Sequence, residues 1–195
     1  AHSRAREMAS LARRPGRIIC VSMMARHKNV EAVIRALAKI RAEHPAAHVV
    51  LAGGWPDFGY ERKIRDLVAQ LNLEAAVEFT GFLPREKLEE LYATAQVFCL
   101  MSRCESFGIP AIEAQLFGTP VVTSTVCAMP EIGGEGGLYR DPDDVPAIAE
   151  ALTKLLTDAD EWQRRSQLAR ANAARYQWQT CSQPLVDLIA EMAES

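Results

Sequence analysis

The chain has 195 residues, of which 49% are hydrophobic and 24% are charged. This composition predicts one soluble globular domain with a sizeable core, and it leaves too little chain for a second full domain. The formal net charge of −3 argues against a nucleic-acid partner. Since the sequence has neither an apolar stretch long enough to cross a bilayer nor a secretory signal, we expect a cytoplasmic protein.

The first residues suggest a piece of a longer protein. Ala1 stands where an initiator methionine would be expected, and an arginine-rich stretch follows, with Arg4, Arg6, Arg13 and Arg14. We interpret residues 1–16 as a linker or N-terminal extension. Because this stretch has few large apolar residues, a solvated linker or helix is favoured over a segment that binds anionic lipid headgroups.

The cysteines are odd in number and widely spaced, with no C-x-x-C pair and no matching histidine spacing. We interpret all of them as reduced core thiols of a cytosolic protein: Cys20, Cys99, Cys104, Cys127 and Cys181. The sequence therefore predicts neither a disulfide framework nor a metal site built on cysteine.

Short apolar runs alternate with amphipathic segments from Arg17 onward, and such runs are typical of buried strands. We predict strands at Arg17–Met24, His48–Ala52, Val77–Thr80, Val97–Leu100, Pro120–Ser124 and Gly137–Tyr139. Strands that alternate with helices predict an α/β fold, with a Rossmann-like parallel sheet covered by helices on both faces. Ligands of such sheets bind at the carboxyl ends of the strands.

Helices are predicted between these strands and throughout a C-terminal segment. We place them from about Asn29, across Ile64–Leu71 and Leu88–Ala95, at Pro110–Phe117, and then at Val145–Leu155, Trp162–Ala174 and Pro184–Met192. Asp143 is expected to cap the helix that follows it, with Pro146 in the first turn.

The segment Glu105-Ser-Phe-Gly-Ile-Pro-Ala-Ile-Glu113 places two carboxylates on either side of a glycine-bearing turn that opens a short helix. Helical side chains lean toward the N-terminus, so Glu113 can reach the helix mouth beside Glu105. The unpaired N–H groups at that mouth favour an anion. Because the carboxylates would repel a diphosphate, we infer that they accept hydrogen bonds from sugar and ribose hydroxyls. The motif therefore predicts a nucleotide-sugar site.

Motifs at the predicted strand ends and around the central helix occur in a specific order. They are Val21-Ser-Met-Met-Ala-Arg-His-Lys-Asn29, Leu51-Ala-Gly-Gly54, Gly81-Phe-Leu-Pro84, Glu105–Glu113, Gly118-Thr-Pro-Val-Val122 and Pro130-Glu-Ile132. Together they closely resemble the C-terminal, donor-binding half of the family-4 (group 1) glycosyltransferases of the GT-B fold. The resemblance covers nearly everything after about Arg17, and it implies a nucleotide-sugar-binding Rossmann-like domain at residues 17–195.

The resemblance implies a retaining transfer of a sugar from a nucleotide diphosphate sugar to an acceptor hydroxyl, without a metal or a cofactor. Lys28 would neutralise the diphosphate together with N–H groups around Gly108 and Ile109. Glu113 would hold the ribose diol. Glu105 would be the catalytic position, in contact with the transferred sugar near its reacting carbon.

Further donor contacts are implied by position in the family's motifs. Backbone at Phe82 and Leu83 would border the base. Gly54, with its neighbour Gly53, would either let a loop pass close to the donor or only turn the chain out of a strand. Phe107 would shield the sugar or serve packing, and these alternatives stay open.

One departure from the family pattern concerns the second phosphate contact. The family often has an arginine where this sequence has Met23, and Arg26 could stand in from the same loop. A different element, Asp141-Pro-Asp143, has the Asp-x-Asp spacing of metal-dependent glycosyltransferases, but helix capping is favoured for it.

The resemblance implies that an N-terminal acceptor-binding domain is missing, so the fragment would bind donor but turn over poorly. Peripheral association of the full-length enzyme with the cytoplasmic face of a membrane is an open alternative. A nucleotide-binding module without catalytic activity, or a nucleotide-sugar epimerase of similar fold, are the competing hypotheses. The sequence leaves the base, the sugar and the acceptor open.

Overall fold

The computed structural model describes residues 2–8 and 11–193. Its centre is a six-stranded parallel sheet in the order β3-β2-β1-β4-β5-β6. The strands are β1 Arg17–Val21, β2 His48–Ala52, β3 Val77–Gly81, β4 Val97–Leu100, β5 Val121–Ser124 and β6 Gly137–Arg140. The predicted parallel sheet is confirmed. β1 ends at Val21, before the predicted end at Met24. The chain has left the strand by Met24, whose N–H donates to the carbonyl of Gly54 at 2.9 Å.

Helices cover both faces of this sheet. In the described residues they are α1 His2–Glu7, α2 Val30–Arg41, α3 Phe58–Gln70, α4 Arg85–Thr94, α5 Ile109–Leu116, α6 Met129–Gly133, α7 Val145–Thr157, α8 Ala159–Ala173 and α9 Trp178–Ala193. Helix α2 packs against α3 and α7 on one face, whereas α5 packs against α4 and α8 on the other. None of the helices in these described ranges combines the length and apolar composition needed to cross a membrane.

Several helix boundaries differ from the sequence prediction; α3, for example, begins at Phe58, six residues before the predicted Ile64. Asp144, not Asp143, caps α7, because its carboxylate accepts the Ala147 N–H at 3.0 Å. Helix α9 begins at Trp178 and contains Pro184 in its interior, so the prediction of a start near that proline was wrong.

The core lies between the helices and the middle strands. Every residue of β4 and β5 is buried, as are four of the five residues of β1 and of β2. The largest fully buried side chains include Tyr60, Tyr92 and Phe98. Burying a large apolar side chain contributes about 1.5–3 kcal/mol, and this burial holds the central strands together.

Arg13, which we expected to be solvated, is partly buried against the domain. Its Nη1 donates to the carbonyls of Tyr92 at 3.1 Å and Ala95 at 2.9 Å, and its Nη2 donates to the carbonyl of Phe117 at 2.5 Å. Burial, reinforced by the positive charge of Arg170, lowers the pKa of Arg13 to about 10. The residues just before β1 are therefore attached to the sheet domain, while the boundary at residue 16 stays a prediction.

The strand order places two loops side by side at the carboxyl edge of the sheet. From β1 the chain moves outward through β2 to β3, and it then returns to β4 on the other side of β1. Loops that follow such a reversal diverge to opposite faces and leave a crevice between them. In this chain the crevice lies between the loops that follow β1 and β4.

Candidate functional site

A tight turn after β1 positions Lys28. Residues Arg26–Lys28 form a single 3₁₀ turn, and Asn29 then adopts a left-handed backbone with φ 53° and ψ 48°, so that α2 begins at Val30. Because β1 neighbours β4, this turn lies beside the crevice where the strand order reverses.

Glu105 reaches Lys28 from the loop that follows β4. Its Oε2 lies 2.5 Å from Lys28 Nζ, and the two side chains are only 12% and 14% exposed. The buried Ser102 hydroxyl donates to the same carboxylate oxygen at 3.5 Å. Salt screens such a sheltered pair less than an exposed one. The structure thus joins the cation and the first carboxylate of the predicted site.

The N-terminus of α5 opens next to this pair. Gly108 precedes the helix with φ 77°, and a side chain there would meet Met129 Sδ at 2.6 Å and Glu105 Cγ at 3.6 Å. The left-handed backbone therefore favours glycine, and a side chain there would also require the flexible end of Met129 to move. Ile109 begins the helix with an exposed side chain, and first-turn N–H groups have no partner within a helix.

Glu113 lies about one turn inside α5, as expected, and its side chain is exposed. Its Oε2 accepts a hydrogen bond from the Tyr92 hydroxyl at 3.0 Å. Tyr92 is 1% exposed and stacks on Phe117 with ring centroids 6.0 Å apart. Burial, followed by the charge of Glu113, raises the pKa of Tyr92, so the phenol stays protonated and donates. Sequence reasoning missed Tyr92, which falls within the predicted helix Leu88–Ala95 but was given no role at the site.

Arg26 contacts α3, not the Glu105 loop. Its Nη2 lies 2.9 Å from Asp57 Oδ2, and its guanidinium lies 5.4 Å from the centroid of the Tyr60 ring. Met23, in the position of the missing arginine, is exposed. To bind a phosphate, Arg26 would have to break its salt bridge with Asp57, so this role stays a prediction.

The two glycines after β2 have different neighbours. Gly53 has φ 141°, and any side chain there would collide with the carbonyl oxygen of Ser22, so the close approach of β1 and β2 explains it. A side chain on Gly54 would instead lie 2.9 Å from Phe82 Cε2. The Phe82 ring is 80% exposed, whereas Leu83 packs partly buried against the core. The structure therefore brings Gly54 and Phe82 together.

Phe107 packs within the protein. Its ring meets the Tyr176 ring edge-on, with centroids 5.6 Å apart, and Phe107 remains 38% exposed. This contact supports the packing alternative for its side chain, although the exposed part still borders the helix mouth at Gly108.

The metal ligands and the cysteines of the described residues have different outcomes from the rest of the site. In residues 2–8 and 11–193, no group of three or more His, Cys, Asp or Glu side chains could hold a metal ion. Asp143, from the Asp-x-Asp sequence, forms a salt bridge with Arg103, in which its Oδ1 lies 2.6 Å from Arg103 Nη2. All five cysteines are free, but only Cys20 and Cys99 are buried, so the prediction of core thiols was wrong for the other three.

A cavity of about 550 Å³ lies at the opposite, amino end of the strands, with Arg13, Gln96 and Trp162 in its wall. Its polar groups bond within the chain: Trp162 Nε1 donates to the carbonyl of Gln96 at 2.7 Å, and Gln96 Nε2 donates to the carbonyl of Leu156 at 2.9 Å. None of the predicted site residues lines it. The candidate site is therefore the crevice at the carboxyl edge.

Comparison with known proteins finds relatives over most of the chain. The family model described as glycosyl transferases group 1 matches residues 4–175. The chain is 33% identical over 170 residues to O-antigen chain mannosyltransferase B of Escherichia coli, an alignment that covers 86% of this chain and 44% of that protein. It is 30% identical over 210 residues to a GDP-mannose-dependent alpha-(1-6)-phosphatidylinositol monomannoside mannosyltransferase of Mycolicibacterium smegmatis, covering 100% of this chain and 53% of the relative.

A solved structure agrees with these matches. Sucrose-phosphate synthase from Thermosynechococcus elongatus is 30% identical and gives a TM-score of 0.83, covering 99% of this chain and 49% of that chain. The chain thus spans about half the length of the relatives it matches. Both the sequence match and the shared architecture identify the same family: the chain belongs to the group 1 glycosyltransferases of the GT-B fold.

Proposed function

We propose that this chain binds the nucleoside diphosphate sugar donor of a retaining glycosyltransferase. The observation that carries the proposal is the Lys28–Glu105 pair, which lies in the crevice where the strand order reverses and beside the N-terminus of α5. A cation, a row of N–H groups and a carboxylate in one place suit a ligand that carries both a diphosphate and hydroxyls.

The roles follow from the chemistry of each group. Lys28 and the N–H groups around Gly108 and Ile109 would bind the diphosphate and stabilise the negative charge that grows on it as the sugar leaves. Glu105 would exchange Lys28 for a hydroxyl of the transferred sugar. Glu113, whose carboxylate is already oriented by Tyr92, would accept hydrogen bonds from the ribose diol.

Recognition of the base is assigned to the loop after β3. Backbone at Phe82 and Leu83 would border the base, with Gly54 beneath the Phe82 ring. Among the relatives, the Mycolicibacterium smegmatis enzyme is named as GDP-mannose-dependent. A nucleoside diphosphate donor is therefore the substrate class that we propose, without a cofactor.

The complete reaction would need a second domain. The sugar's bond to the diphosphate breaks, an acceptor oxygen takes its place with retention of configuration, and the acceptor hydroxyl releases its proton. Because the chain spans about half of its relatives, we propose that an acceptor-binding domain supplies the other wall of the crevice. The chain alone should then bind donor and transfer sugar slowly or not at all.

Isothermal titration calorimetry with UDP, GDP, UDP-glucose and GDP-mannose tests this proposal. Lys28→Met should weaken binding of the matching nucleoside diphosphate about tenfold or more, since a charge-assisted bond of about 1.5–3 kcal/mol is lost. Glu105→Ala should remove whatever affinity the sugar adds to the bare diphosphate. Lys39→Met, which removes an exposed lysine from the last turn of α2, serves as the matched control.

Two results would contradict the proposal. Absence of binding by the wild-type chain to every probe would remove the donor site altogether. Equal affinity for a nucleotide sugar and its bare nucleotide, unchanged by Glu105→Ala, would instead favour a nucleotide-binding module without transferase chemistry.

A further inference from the structure

The turn between β6 and α7, residues Asp141–Asp144, contacts both loops of the candidate site. We call it the β6–α7 turn. Its Pro142 carbonyl accepts a hydrogen bond from Asn29 in the loop after β1, and its Asp143 carboxylate pairs with Arg103 in the loop after β4. The turn therefore touches the residues next to Lys28 and those next to Glu105.

Asn29 makes the more sheltered of these two contacts. It is 1% exposed, and its Nδ2 lies 2.8 Å from the Pro142 carbonyl oxygen. Although Asn29 occupies the N-cap position of α2, its side chain does not cap that helix. Asparagine commonly caps its own helix, but the Asn29 side chain instead donates to Pro142, which is far away in the sequence.

The backbone on each side of Lys28 is also held by other elements. The N–H of Val30 donates to the Tyr60 hydroxyl at 3.1 Å, and that hydroxyl donates in turn to Glu31. The carbonyl of His27 accepts the N–H of Arg103 at 2.7 Å. These bonds hold the backbone on either side of Lys28. The backbone of Asn29 itself bonds only to neighbours in sequence among the described residues, Arg26 and Ala32, whereas its side chain bonds to the distant Pro142.

We propose that Asn29 is a positioning residue for Lys28, an inference that rests on the proposed function. The buried bond to Pro142 and the left-handed backbone of Asn29 (φ 53°) together fix the direction in which Lys28 leaves the chain. Asparagine suits both demands: it tolerates the left-handed conformation better than most residues, and its amide supplies a donor to the carbonyl. Losing the bond would let the ammonium group move away from the diphosphate, and small displacements of a charged contact weaken it strongly.

Asn29→Gly is the informative variant, because glycine retains the left-handed backbone and removes only the side-chain bond. Asn72 offers a matched control: it also has a left-handed backbone, with φ 54°, but it is exposed and follows α3. We therefore compare Asn29→Gly with Asn72→Gly, measuring both the dissociation constant for UDP and GDP and the denaturant midpoint.

A double-mutant cycle separates positioning from a general loss of structure. In the wild-type background, Asn29→Gly should raise the dissociation constant of whichever nucleoside diphosphate binds by about tenfold. In the Lys28→Met background, the same substitution should change the dissociation constant by less than about twofold, since the contact through which Asn29 acts is already gone. Asn72→Gly should leave the dissociation constant unchanged in both backgrounds.

The outcomes distinguish this inference from the proposed function. If Lys28→Met weakens binding but Asn29→Gly does not, or if Asn29→Gly weakens binding equally in both backgrounds, the positioning role is overturned and the donor site stands. If the wild-type chain binds neither UDP nor GDP, both are overturned. If Asn29→Gly lowers the denaturant midpoint without changing affinity, the contact serves stability alone.

Discussion

At the scale of single residues, the two glutamates of the motif have different electrostatic surroundings. Glu105 is sheltered and pairs with a cation, whereas Glu113 is exposed and accepts a hydrogen bond from the neutral phenol of Tyr92. A carboxylate can accept about four hydrogen bonds, so Glu113 keeps most of its capacity for a diol. Glu105 must first separate from Lys28. If the proposed donor binds here, it should separate Glu105 from Lys28 and leave the contact between Glu113 and Tyr92 as it is.

Away from the site, Glu161 in the first turn of α8 gives a prediction about pH. It accepts hydrogen bonds from Arg164 and Arg165 at 2.8 and 2.9 Å. The bond from Arg164 is the largest cause that lowers the pKa of Glu161 from 4.5 to about 2, while burial acts in the opposite direction. Because the folded pKa lies below the unfolded one, this stabilisation is present above pH 4.5 and is lost as the pH falls toward 2.

The free energy of unfolding should therefore fall more steeply with acid in the wild type than in Glu161→Gln. Since the arginines are partly exposed, the extra loss should be about 1–2 kcal/mol. Urea unfolding followed by circular dichroism at several pH values measures it. Glu150→Gln, an exposed change on α7, should retain the wild-type slope, and parallel slopes for the wild type and Glu161→Gln would contradict the prediction.

At the scale of elements, Gly53 permits the chain that leaves β2 to lie against the chain that leaves β1. Gly53→Ala would place a methyl group against the Ser22 carbonyl, and the variant should lose more than about 4 kcal/mol or fail to fold. Gly81→Ala is the matched control: φ is 65° there, but no atom lies within 4 Å of the added methyl group. It should cost only the backbone penalty of about 1–2 kcal/mol. Similar midpoints for the two variants in urea unfolding would contradict this account.

The strands were predictable because each is a short apolar run between turn residues, and their positions agree with the sequence prediction to within a few residues. The helix caps were not. Asp143 and Asp144 are chemically equivalent as caps, and the sequence does not show that Asp143 pairs with Arg103, forty residues away, while Asp144 caps α7. Pro184 was a misleading start signal, since α9 begins six residues earlier.

At the scale of the whole molecule, Arg13 joins the N-terminal residues to two helices of the opposite half. It donates to carbonyls at the C-termini of both α4 and α5, and its guanidinium lies 5.3 Å from the centroid of the Trp162 ring. Carbonyls at helix C-termini carry partial negative charge, which stabilises the cation there.

Arg13→Met should destabilise the fold by about 2–4 kcal/mol, because several partly buried carbonyls lose their donor. Circular dichroism and tryptophan fluorescence should report the same lowered midpoint, since Trp162 lies beneath the guanidinium. The exposed neighbour change Arg14→Met should stay within about 0.5 kcal/mol of the wild type. A wild-type midpoint for Arg13→Met would show that the N-terminal residues contribute nothing to the cooperative unit.

The site was predictable only in part. The motif order identified Lys28, Glu105 and Glu113, and the first two do meet. Tyr92 and Asn29 were not assigned to the site because their roles depend on contacts between distant segments, such as the one from Asn29 to Pro142. Periodicity describes which face of a helix is buried, and it carries no information about which buried hydroxyl or amide meets a site residue.

The central position of β1 has a consequence for how the chain acquires its structure. β1 pairs with β2 soon afterwards in the sequence, but its other neighbour, where Ile18 lies opposite Val97, is much later. Closing so long a loop is entropically expensive, and such pairings slow folding. During synthesis the first three strands should associate before the rest of the sheet, and the crevice that holds Lys28 should form only after β4 has left the ribosome.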